Sequence, residues 1–443
     1  MGEEAATKPG SADHLVVLVH GLWGNPKHLE YVASSLREKY AEDKAYVLVA
    51  ARNSGSFTYD GIELGGERVT QEVEETIEEL ERGGQKITKL SFMGYSLGGL
   101  VARYAVGLLY NRGWFEKLEP VNFTTFATPH LGVRTPLVGY HNHLWNVLGA
   151  RMLSMSGRQL FLTDKFRDTG RPLLSVLADP DSIFIRALSR FRNRSLYANI
   201  VNDRSAVYYT TSISKTDPFV KPDAIKINYV PGYDDIIVDA KNPVSPRDEE
   251  ALYQRLYGGG RNFIRRMPFF AFICIFLPVA LTVFSVTSVV QTARSKQRIK
   301  LHEAGKLGIK TGMYRIPLMI QDVRQTTEDI YENVANTHDQ EYLPDDSIEA
   351  MGQESPLLSK SNREQEKLAN GDSPAHTLEF PTLALTSDQF AMVQALDDVG
   401  FEKHPVHIHN VNHSHAAIIV RMPVERFYEG KVVIRHWLER FEI

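Results

Sequence analysis

The segment Gly94-Tyr95-Ser96-Leu97-Gly98 places a serine between two glycines, at the junction of a predicted strand and a predicted helix. A serine in such a turn has a strained backbone and an exposed hydroxyl, which is the geometry of a nucleophile elbow. The flanking glycines let the strand and the helix approach each other closely. We therefore predict that Ser96 is the nucleophile of an acyl-transfer reaction. A turn serine without chemistry is the alternative interpretation.

Short apolar segments with strand character surround this serine, at residues 15–19, 45–51, 86–93 and 121–127. Helical patterns separate them, and one of these is the long amphipathic stretch at 60–82. Strands that alternate with helices pair in parallel through right-handed crossovers, with helices on both faces of the sheet. The sequence therefore predicts an α/β fold with a mostly parallel sheet, whose functional loops lie at the carboxyl ends of the strands.

The loop after the first strand, His20-Gly21-Leu22-Trp23-Gly24-Asn25, is expected to meet the elbow at that edge of the sheet. An acyl tetrahedral intermediate carries negative charge on oxygen, and fixed backbone N–H groups stabilise that charge. We predict the amide of Leu97 as the first donor of this oxyanion hole and the amide of Leu22 as the second. His20 ends a strand and precedes a glycine, so we interpret it as shaping the loop and not as a base.

Four segments resemble the lipase-like serine esterases of fungi and other eukaryotes, a family within the α/β-hydrolases. They are VLVHGLWGN, TYDGIELGGERV, FMGYSLGGLVARYA and FATPHLGVR, all within residues 16–134, and further similarity follows at 197–210 and near the C-terminus. The resemblance implies an α/β-hydrolase fold. It is nearest to fungal lipid-droplet phospholipases of this family, which implies hydrolysis of phospholipids or acylglycerols.

The α/β-hydrolases supply their acid and histidine after the serine in the chain, in that order. Asp203 lies just past a run of strand character at 195–201. An aspartate at a strand end can accept a hydrogen bond from the histidine, and with the resemblance taken into account we predict Asp203 as the acid. A turn aspartate that only caps the following residues is the alternative reading. Asp179, Asp234 and Asp235 remain candidates.

Every histidine after Asp203 lies beyond residue 300, so the base must come from far along the chain. His415 leads into small and apolar residues, as in the pattern of the family, and we predict that it is the base. His413 remains an alternative, because spacing does not separate neighbouring loop histidines. Histidines also recur along a run with strand character at residues 404–409. Without matched carboxylates they are a weak metal signal, and we predict no metal and no organic cofactor.

These residues together predict an ester hydrolase that works through an acyl-enzyme intermediate. If an alcohol replaces water as the acyl acceptor, the same residues make a lipid transacylase. A different class of protein is the main alternative: a catalytically silent hydrolase fold that serves as a membrane scaffold or lipid-binding protein. Loss of ester hydrolysis on replacing Ser96 separates the two classes.

Composition narrows the possible partners. The chain has 443 residues, a net charge of -4 and 23% charged residues, with no basic stripe, so we predict no nucleic-acid partner. The one cysteine, Cys274, excludes an intramolecular disulfide and a cysteine-built zinc site. Residues 1–14 are polar and do not resemble a secretory signal, and Ala6 stands where N-myristoylation needs serine or threonine. We expect a catalytic domain that faces the cytosol.

The run Met267 to Val290 carries no charge and has basic residues on both sides. A helix rises about 1.5 Å per residue, so this segment is long enough for the roughly 30 Å hydrocarbon core of a bilayer. A buried core helix is the alternative. A single crossing would separate Ser96 and Asp203 from His415, so we predict a hairpin that enters and returns, with Pro278 at its bend. Such a hairpin suits a membrane or a lipid-droplet monolayer, and we expect a location on lipid droplets, the endoplasmic reticulum, or both.

The predicted organisation has four parts. Residues 1–14 form a polar tail, residues 15–260 and 378–443 the catalytic domain, residues 261–300 the membrane-associated hairpin, and residues 321–377 a disordered acidic and polar insertion. Loop closure costs little more for a long excursion than for a short one, so acid and base can stand on either side of it. Residues 424–441 have the pattern of a terminal amphipathic helix. Residues 134–168 are rich in aromatic and methionine side chains, and we leave open whether they form a lid or pack over the sheet.

Overall fold

The computed structural model describes residues 12–41, 43–134, 154–220, 225–246, 289–306, 380–411 and 413–443. A six-stranded sheet lies at the centre in the order β2-β1-β3-β4-β5-β8, and every neighbouring pair is parallel. Its strands are β1 (His14–Val19), β2 (Ala45–Val49), β3 (Lys89–Tyr95), β4 (Glu119–Phe126), β5 (Asn193–Asn199) and β8 (Glu402–Val406). A separate antiparallel pair consists of β6 (Ile225–Ile227) and β7 (Val244–Pro246).

Helices connect and flank these strands. They are α1 (Glu30–Lys39), α2 (Ile62–Arg82), α3 (Leu97–Asn111), α4 (Ser154–Leu160), α5 (Leu173–Leu177), α6 (Ile183–Ser189), α7 (Tyr208–Thr211), α8 (residues 289–303), α9 (Ser387–Val399), α10 (Ser414–Ala417) and α11 (Glu429–Arg440). Short 3-10 turns include Pro26–Leu29, Gly55–Tyr59 and Glu425–Phe427.

Both faces of the sheet are buried, as the alternation along β1 shows. Leu15, Val17 and Val19 pack into the cluster that contains α2 and α3. Val16 and Leu18 pack into the cluster that contains α1 and α11. Successive side chains of a strand point to opposite faces, so an apolar strand without polar alternation requires cover on both sides. The predicted α/β fold with a mostly parallel sheet is confirmed, and helices cover both faces.

The strand order creates a crevice beside the elbow. The chain passes from β1 to β2 at one edge, then returns to β3 on the other side of β1 and continues to β4 and β5. The segments that follow β1 and β3 therefore diverge, and ligands of open α/β sheets bind in the crevice outside the carboxyl ends at such a switch point. Ser96 follows β3, Asp203 follows β5, and His415 follows β8.

Three predicted boundaries differ from the structure. β3 begins at Lys89 instead of 86, because the backbone N–H groups of Thr88 and Lys89 first donate to the Asp13 carbonyl. The predicted strand at 404–409 ends at Val406, since the next N–H, that of His407, donates to the Ile236 carbonyl outside the sheet. The single terminal helix predicted over 424–441 begins as a tight 3-10 turn before α11 starts at Glu429.

Several predicted segments lie outside the described residues. They are residues 321–377, residues 1–11 of the polar tail, residues 135–153 of the possible lid and all but the last two residues of the apolar run 267–290. Within the residues that the structure describes, no helix is both long and apolar enough to cross a membrane. The described end of the possible lid packs on the domain, because the Gln159 side chain accepts a hydrogen bond from the Ile62 N–H at 2.7 Å.

Candidate active site

Ser96 occupies a strained turn between β3 and α3. Its backbone angles are φ 55° and ψ -129°, a conformation that residues other than glycine rarely adopt. The turn is held by the Ser96 N–H, which donates to the Phe126 carbonyl at 2.9 Å, and by the Gly99 N–H, which donates to the Ser96 carbonyl at 3.1 Å. Strain that neighbouring strands hold in place is typical of functional turns.

The glycines of this turn are required by close approach. A Cβ atom on Gly98 would lie 2.2 Å from the Val19 carbonyl oxygen, so α3 could not begin beside the end of β1. A Cβ atom on Gly94 would lie 2.3 Å from the Gly99 Cα, so the strand could not fold back against its own helix. The glycine spacing therefore brings Ser96 to the crevice between β1 and β3.

The structure brings Ser96, His415 and Asp203 into one hydrogen-bonded chain. His415 Nε2 lies 2.9 Å from Ser96 Oγ, and His415 Nδ1 lies 2.9 Å from Asp203 Oδ2. The Asp203 carboxylate is 1% exposed and the His415 imidazole 13% exposed, so the histidine is the member that solvent and substrate can reach. This arrangement can remove a proton from the hydroxyl and stabilise the resulting imidazolium.

The acid is held by four donors. Asp203 Oδ2 accepts from the Asn199 side-chain amide at 2.9 Å as well as from His415, and Oδ1 accepts from the N–H groups of Ser205 and Ala206 at 3.0 and 2.9 Å. Burial acts to raise the pKa of Asp203, but the facing histidine and these hydrogen bonds outweigh it and hold the pKa below its ordinary value. The carboxylate is therefore ionised at neutral pH and accepts the Nδ1–H of His415.

The histidine is delivered by α10, the first turn after the loop that follows β8. The Ser414 hydroxyl donates to the Val201 carbonyl at 2.7 Å, and the Ser414 N–H donates to the Asn202 carbonyl at 3.1 Å. These bonds tie the histidine segment to the loop that carries the acid. The Tyr95 hydroxyl also donates to the His415 carbonyl at 3.0 Å, and the two rings lie with centroids 5.2 Å apart.

The other candidates for acid and base lie elsewhere. His413 is exposed at the start of α10, outside the hydrogen-bonded chain. Asp179 pairs with Arg171 at 2.6 Å. Asp234 and Asp235 are exposed, and both have a positive φ. Spacing in the sequence could not separate His413 from His415. In the structure, the start of α10 leaves His413 exposed to solvent and directs His415 to Ser96.

The loop after β1 lies directly against Ser96. A Cβ atom on Gly21 would lie 2.7 Å from Ser96 Cβ and 3.2 Å from Ser96 Oγ, which places the following residue, Leu22, at the rim of the crevice. Leu97 is the first residue of α3, so its N–H has no acceptor within the helix and lies at the positive end of the helix dipole. The Leu97 N–H and Gly21, the residue before Leu22, therefore both lie next to Ser96.

His20 lies beneath this loop. It is buried, and its Nδ1 is 3.1 Å from the Gly21 carbonyl oxygen. Burial lowers the pKa of His20, so the ring is neutral at pH 7. A Cβ atom on Gly24 would lie 2.6 Å from the His20 ring nitrogen, so the ring and the loop fit together only with glycine there.

Sequence reasoning missed three supporting residues. Tyr95 is a variable position of the elbow pattern, Asn199 is a strand residue with no local signal, and Ser414 lies between the two candidate histidines. Their partners are 4 to 320 positions away in the chain, which local patterns do not reveal. Among the residues that the structure describes, no group of three or more His, Cys, Asp or Glu side chains could hold a metal ion.

Comparison with known proteins gives a family match over the elbow and the acid loop. Residues 9–216 match the family described as "Putative serine esterase (DUF676)". The chain is 32% identical over 212 residues to "Putative lipase ROG1" of Saccharomyces cerevisiae, a match that covers 47% of this chain and 29% of that protein. It is 31% identical over 208 residues to "Putative lipase C4A8.10" of Schizosaccharomyces pombe, covering 45% of this chain and 26% of that protein. The chain thus spans less than a third of the length of these two relatives.

A solved structure, a lipase-esterase related protein from Clostridium acetobutylicum, is 13% identical and covers 45% of this chain and 79% of its own, with a TM-score of 0.24. That likeness is too remote to carry an argument, so the fold assignment rests on the strand order described above. The family match includes Ser96 and Asp203, and His415 lies outside it. That match runs from before β1 to beyond the acid loop, so this part of the chain is similar to the serine esterase family DUF676.

Proposed function

We propose that the protein hydrolyses ester lipids, as a phospholipase or an acylglycerol lipase. In this proposal Ser96 is the nucleophile, His415 the general base and Asp203 the acid that orients it. The observation that carries the proposal is the hydrogen-bonded chain from Ser96 Oγ through His415 to Asp203, with both distances at 2.9 Å. A serine hydroxyl is a weak nucleophile, and an adjacent, oriented imidazole is the usual means of activating it.

The mechanism follows from the positions of the atoms. His415 Nε2 takes the proton of Ser96 Oγ as that oxygen attacks the ester carbonyl, and the ionised Asp203 stabilises the imidazolium. The N–H groups of Leu97 and Leu22 bind the oxyanion of the tetrahedral intermediate. His415 then protonates the leaving alcohol, which leaves an acyl group on Ser96. Water, deprotonated by the same histidine, releases the fatty acid and restores the hydroxyl.

Two exposed aromatic residues beside the oxyanion loop support a lipid substrate. Trp23 is 51% exposed and Phe57 is 42% exposed, although both are large apolar side chains. Tryptophan, an aromatic side chain with one polar end, is favoured at the boundary between lipid and water, and Phe57 adds exposed apolar surface beside it. The two relatives are named as lipases, which agrees with a substrate that presents acyl chains.

We also propose that the protein acts at a membrane or lipid-droplet surface, facing the cytosol, with Met267 to Val290 inserted as a hairpin. The described residues on both sides of that segment support this topology. Before it, the Val238 N–H donates to the Pro405 carbonyl of β8 at 2.9 Å, which ties the β6–β7 region to the sheet. After it, α8 packs on the catalytic domain through an ion pair of Arg298 with Asp60. Because the described residues before and after the apolar segment dock on the same domain, they favour a segment that enters the lipid and returns.

A panel of ester lipids tests the function. The purified protein is incubated with phosphatidylcholine vesicles, a triacylglycerol emulsion and a short-chain nitrophenyl ester, with the Ser96→Ala protein as the blank and the Ser34→Ala protein as the matched control. We expect release of fatty acid from at least one lipid by the wild type and by Ser34→Ala. Transfer of the acyl group to an added alcohol in place of water would identify a transacylase. No turnover of any ester would favour a scaffold or a lipid-binding protein.

Changing Asp203 to asparagine is expected to lower kcat about 10⁴-fold, as in other serine hydrolases with this triad. The amide cannot accept the Nδ1–H as a carboxylate does, so His415 is held in the wrong tautomer and its imidazolium loses its counter-charge. The control is Asp234→Asn, an exposed carboxylate with a positive φ. Steady-state kinetics with the short-chain ester measure both. A loss below tenfold in Asp203→Asn would remove Asp203 from the mechanism.

A further inference from the structure

A buried carboxylate joins α8 to the segment beside the active site. The Asp60 side chain is 0% exposed and contacts two guanidinium groups. Arg68, from α2, donates from Nη2 to Oδ2 at 2.7 Å. Arg298, from α8, donates from Nε to both carboxylate oxygens at 3.0 and 2.9 Å and from Nη2 to Oδ1 at 2.7 Å. The carboxylate is the shared counter-charge of both guanidinium groups, and these hydrogen bonds hold the two arginines in one arrangement.

The same guanidinium groups hold the turn Gly55–Tyr59 that precedes Asp60. Arg298 Nη2 also donates to the Ser56 carbonyl at 2.9 Å, and Arg68 Nη1 donates to the Phe57 carbonyl at 3.3 Å. Both groups lie over the Phe57 ring, at 4.9 Å for Arg68 and 5.0 Å for Arg298. Arg298 therefore fixes backbone and side-chain positions of this turn, although it is 238 positions away from Asp60 in the chain.

The opposite side of the turn holds the loop after β1. The Gly55 N–H donates to the Gly24 carbonyl at 2.8 Å, and the Trp23 N–H donates to Thr58 Oγ1 at 3.1 Å. The Trp23 indole N–H donates to the Tyr59 hydroxyl at 2.6 Å. Trp23 itself has φ 56°, a left-handed conformation that costs energy in a non-glycine residue and persists because these bonds hold it. The residue before it is Leu22.

We propose that Arg298 is a positioning residue for the oxyanion hole. It anchors the turn Gly55–Tyr59 through Asp60. This turn holds the strained backbone of Trp23 in place and thereby fixes the direction of the Leu22 N–H. The inference rests on the proposed function, in which Leu22 is an oxyanion donor. A donor stabilises the transition state only when it points at the position of the oxyanion, and a misplacement of about 1 Å can cost about 10²-fold in rate.

This assignment gives α8 a role in the reaction. The helix begins at the last two residues of the apolar run 267–290, so in this proposal the geometry of the oxyanion hole depends on a part of the chain that adjoins the proposed lipid-inserted segment.

Kinetics of two variants test the role of Arg298. Arg298→Gln is expected to lower kcat, and the rate of inactivation by a fluorophosphonate, about tenfold with KM nearly unchanged, because the oxyanion is bound in the transition state and not in the ground state. Arg298→Lys keeps the charge but loses the bidentate fork, so its kcat should lie between those of Arg298→Gln and the wild type. Arg294→Gln, an exposed arginine one turn earlier on α8, is the matched control and should keep the activity of the wild type.

A double-mutant cycle separates positioning from a general loss of stability. Thr58→Val removes the acceptor of the Trp23 N–H and should lower kcat to a similar extent. The double variant Thr58→Val/Arg298→Gln should be no slower than the slower single variant, because both changes act through the same loop. Losses that multiply in the double variant would overturn the proposal, as would an Arg298→Gln protein with the kcat of the wild type.

Hydrogen exchange gives a readout that does not depend on catalysis. In Arg298→Gln the amides of residues 21–25 should exchange at least several-fold faster than in the wild type, whereas Arg294→Gln should leave them unchanged. Equal exchange in the two variants would overturn the coupling of Arg298 to this loop, whether or not the protein is an enzyme. Faster exchange in a protein whose wild type hydrolyses no ester would keep the coupling and overturn the proposed function.

Discussion

Replacing Ser96 with alanine is expected to lower kcat for ester hydrolysis about 10⁶-fold, the size of loss seen when a serine hydrolase loses its nucleophile. Without the hydroxyl, no acyl-enzyme can form, and only the oxyanion donors and the binding of substrate remain to favour attack by water. The Ser96 hydroxyl is hydrogen-bonded to His415, which itself lies near the surface, so the fold should tolerate its loss. Alanine also adds no strain at φ 55° beyond that of serine, since both carry one Cβ atom.

The control for this variant is Ser34→Ala, which removes a hydroxyl on the outer face of α1. Both proteins should unfold within a few degrees of the wild type, and only Ser96→Ala should be inactive. Turnover by purified Ser96→Ala at the rate of the wild type would show that the elbow is not the catalytic site.

Replacing His415 with alanine is expected to cause a loss of similar size, about 10⁶-fold in kcat, because the serine and the histidine act as one unit. The double variant Ser96→Ala/His415→Ala should be no slower than either single variant. This non-additivity distinguishes a shared proton-transfer step from two independent contributions to binding. The measurement is kcat for the short-chain ester in all three variants.

His413→Ala is the matched control, since it removes an exposed imidazole two residues away on the same turn. It should retain the kcat of the wild type to within a factor of about three, because its imidazole lies outside the hydrogen-bonded chain and a surface substitution usually changes stability by under about 0.5 kcal/mol. The reverse result, an inactive His413 variant and an active His415 variant, would assign the proton transfer to His413.

The central part of the fold could be predicted because its signals are local. Short apolar runs separated by helical patterns imply a parallel sheet, and β1 and β3 lie within a few residues of the predicted positions. The glycine spacing around Ser96 has a steric cause that is visible in the sequence, since α3 can begin beside β1 only if residue 98 lacks a side chain.

The choice between His413 and His415 could not be made from spacing, because it depends on where α10 begins. That point is set by the bonds from Ser414 to Val201 and Asn202, which are more than 200 positions away. Sequence distance therefore hides the interaction that decides the direction of each imidazole.

The docking of α8 was also missed. Arg298 is one of the basic residues that follow the apolar run 267–290 in the sequence, but it is directed into the domain toward Asp60. A signal was present, since Ser295, Arg298 and His302 lie three and four residues apart and so share one helical face. A polar face of that kind can be solvated equally well, and only the contacts with Tyr59, Asp60 and Glu67 identify it as buried.

Labelling by a fluorophosphonate, located by mass spectrometry, tests the central claim most directly. Such a reagent phosphonylates a serine only where a base activates the hydroxyl, so it reports the nucleophile without knowledge of the natural substrate. The proposed triad predicts one adduct per chain, on the peptide that contains Ser96, with activity lost in proportion to labelling and no adduct in Ser96→Ala. An adduct on another serine, or full ester hydrolysis by a protein that takes up no label at Ser96, would contradict the account.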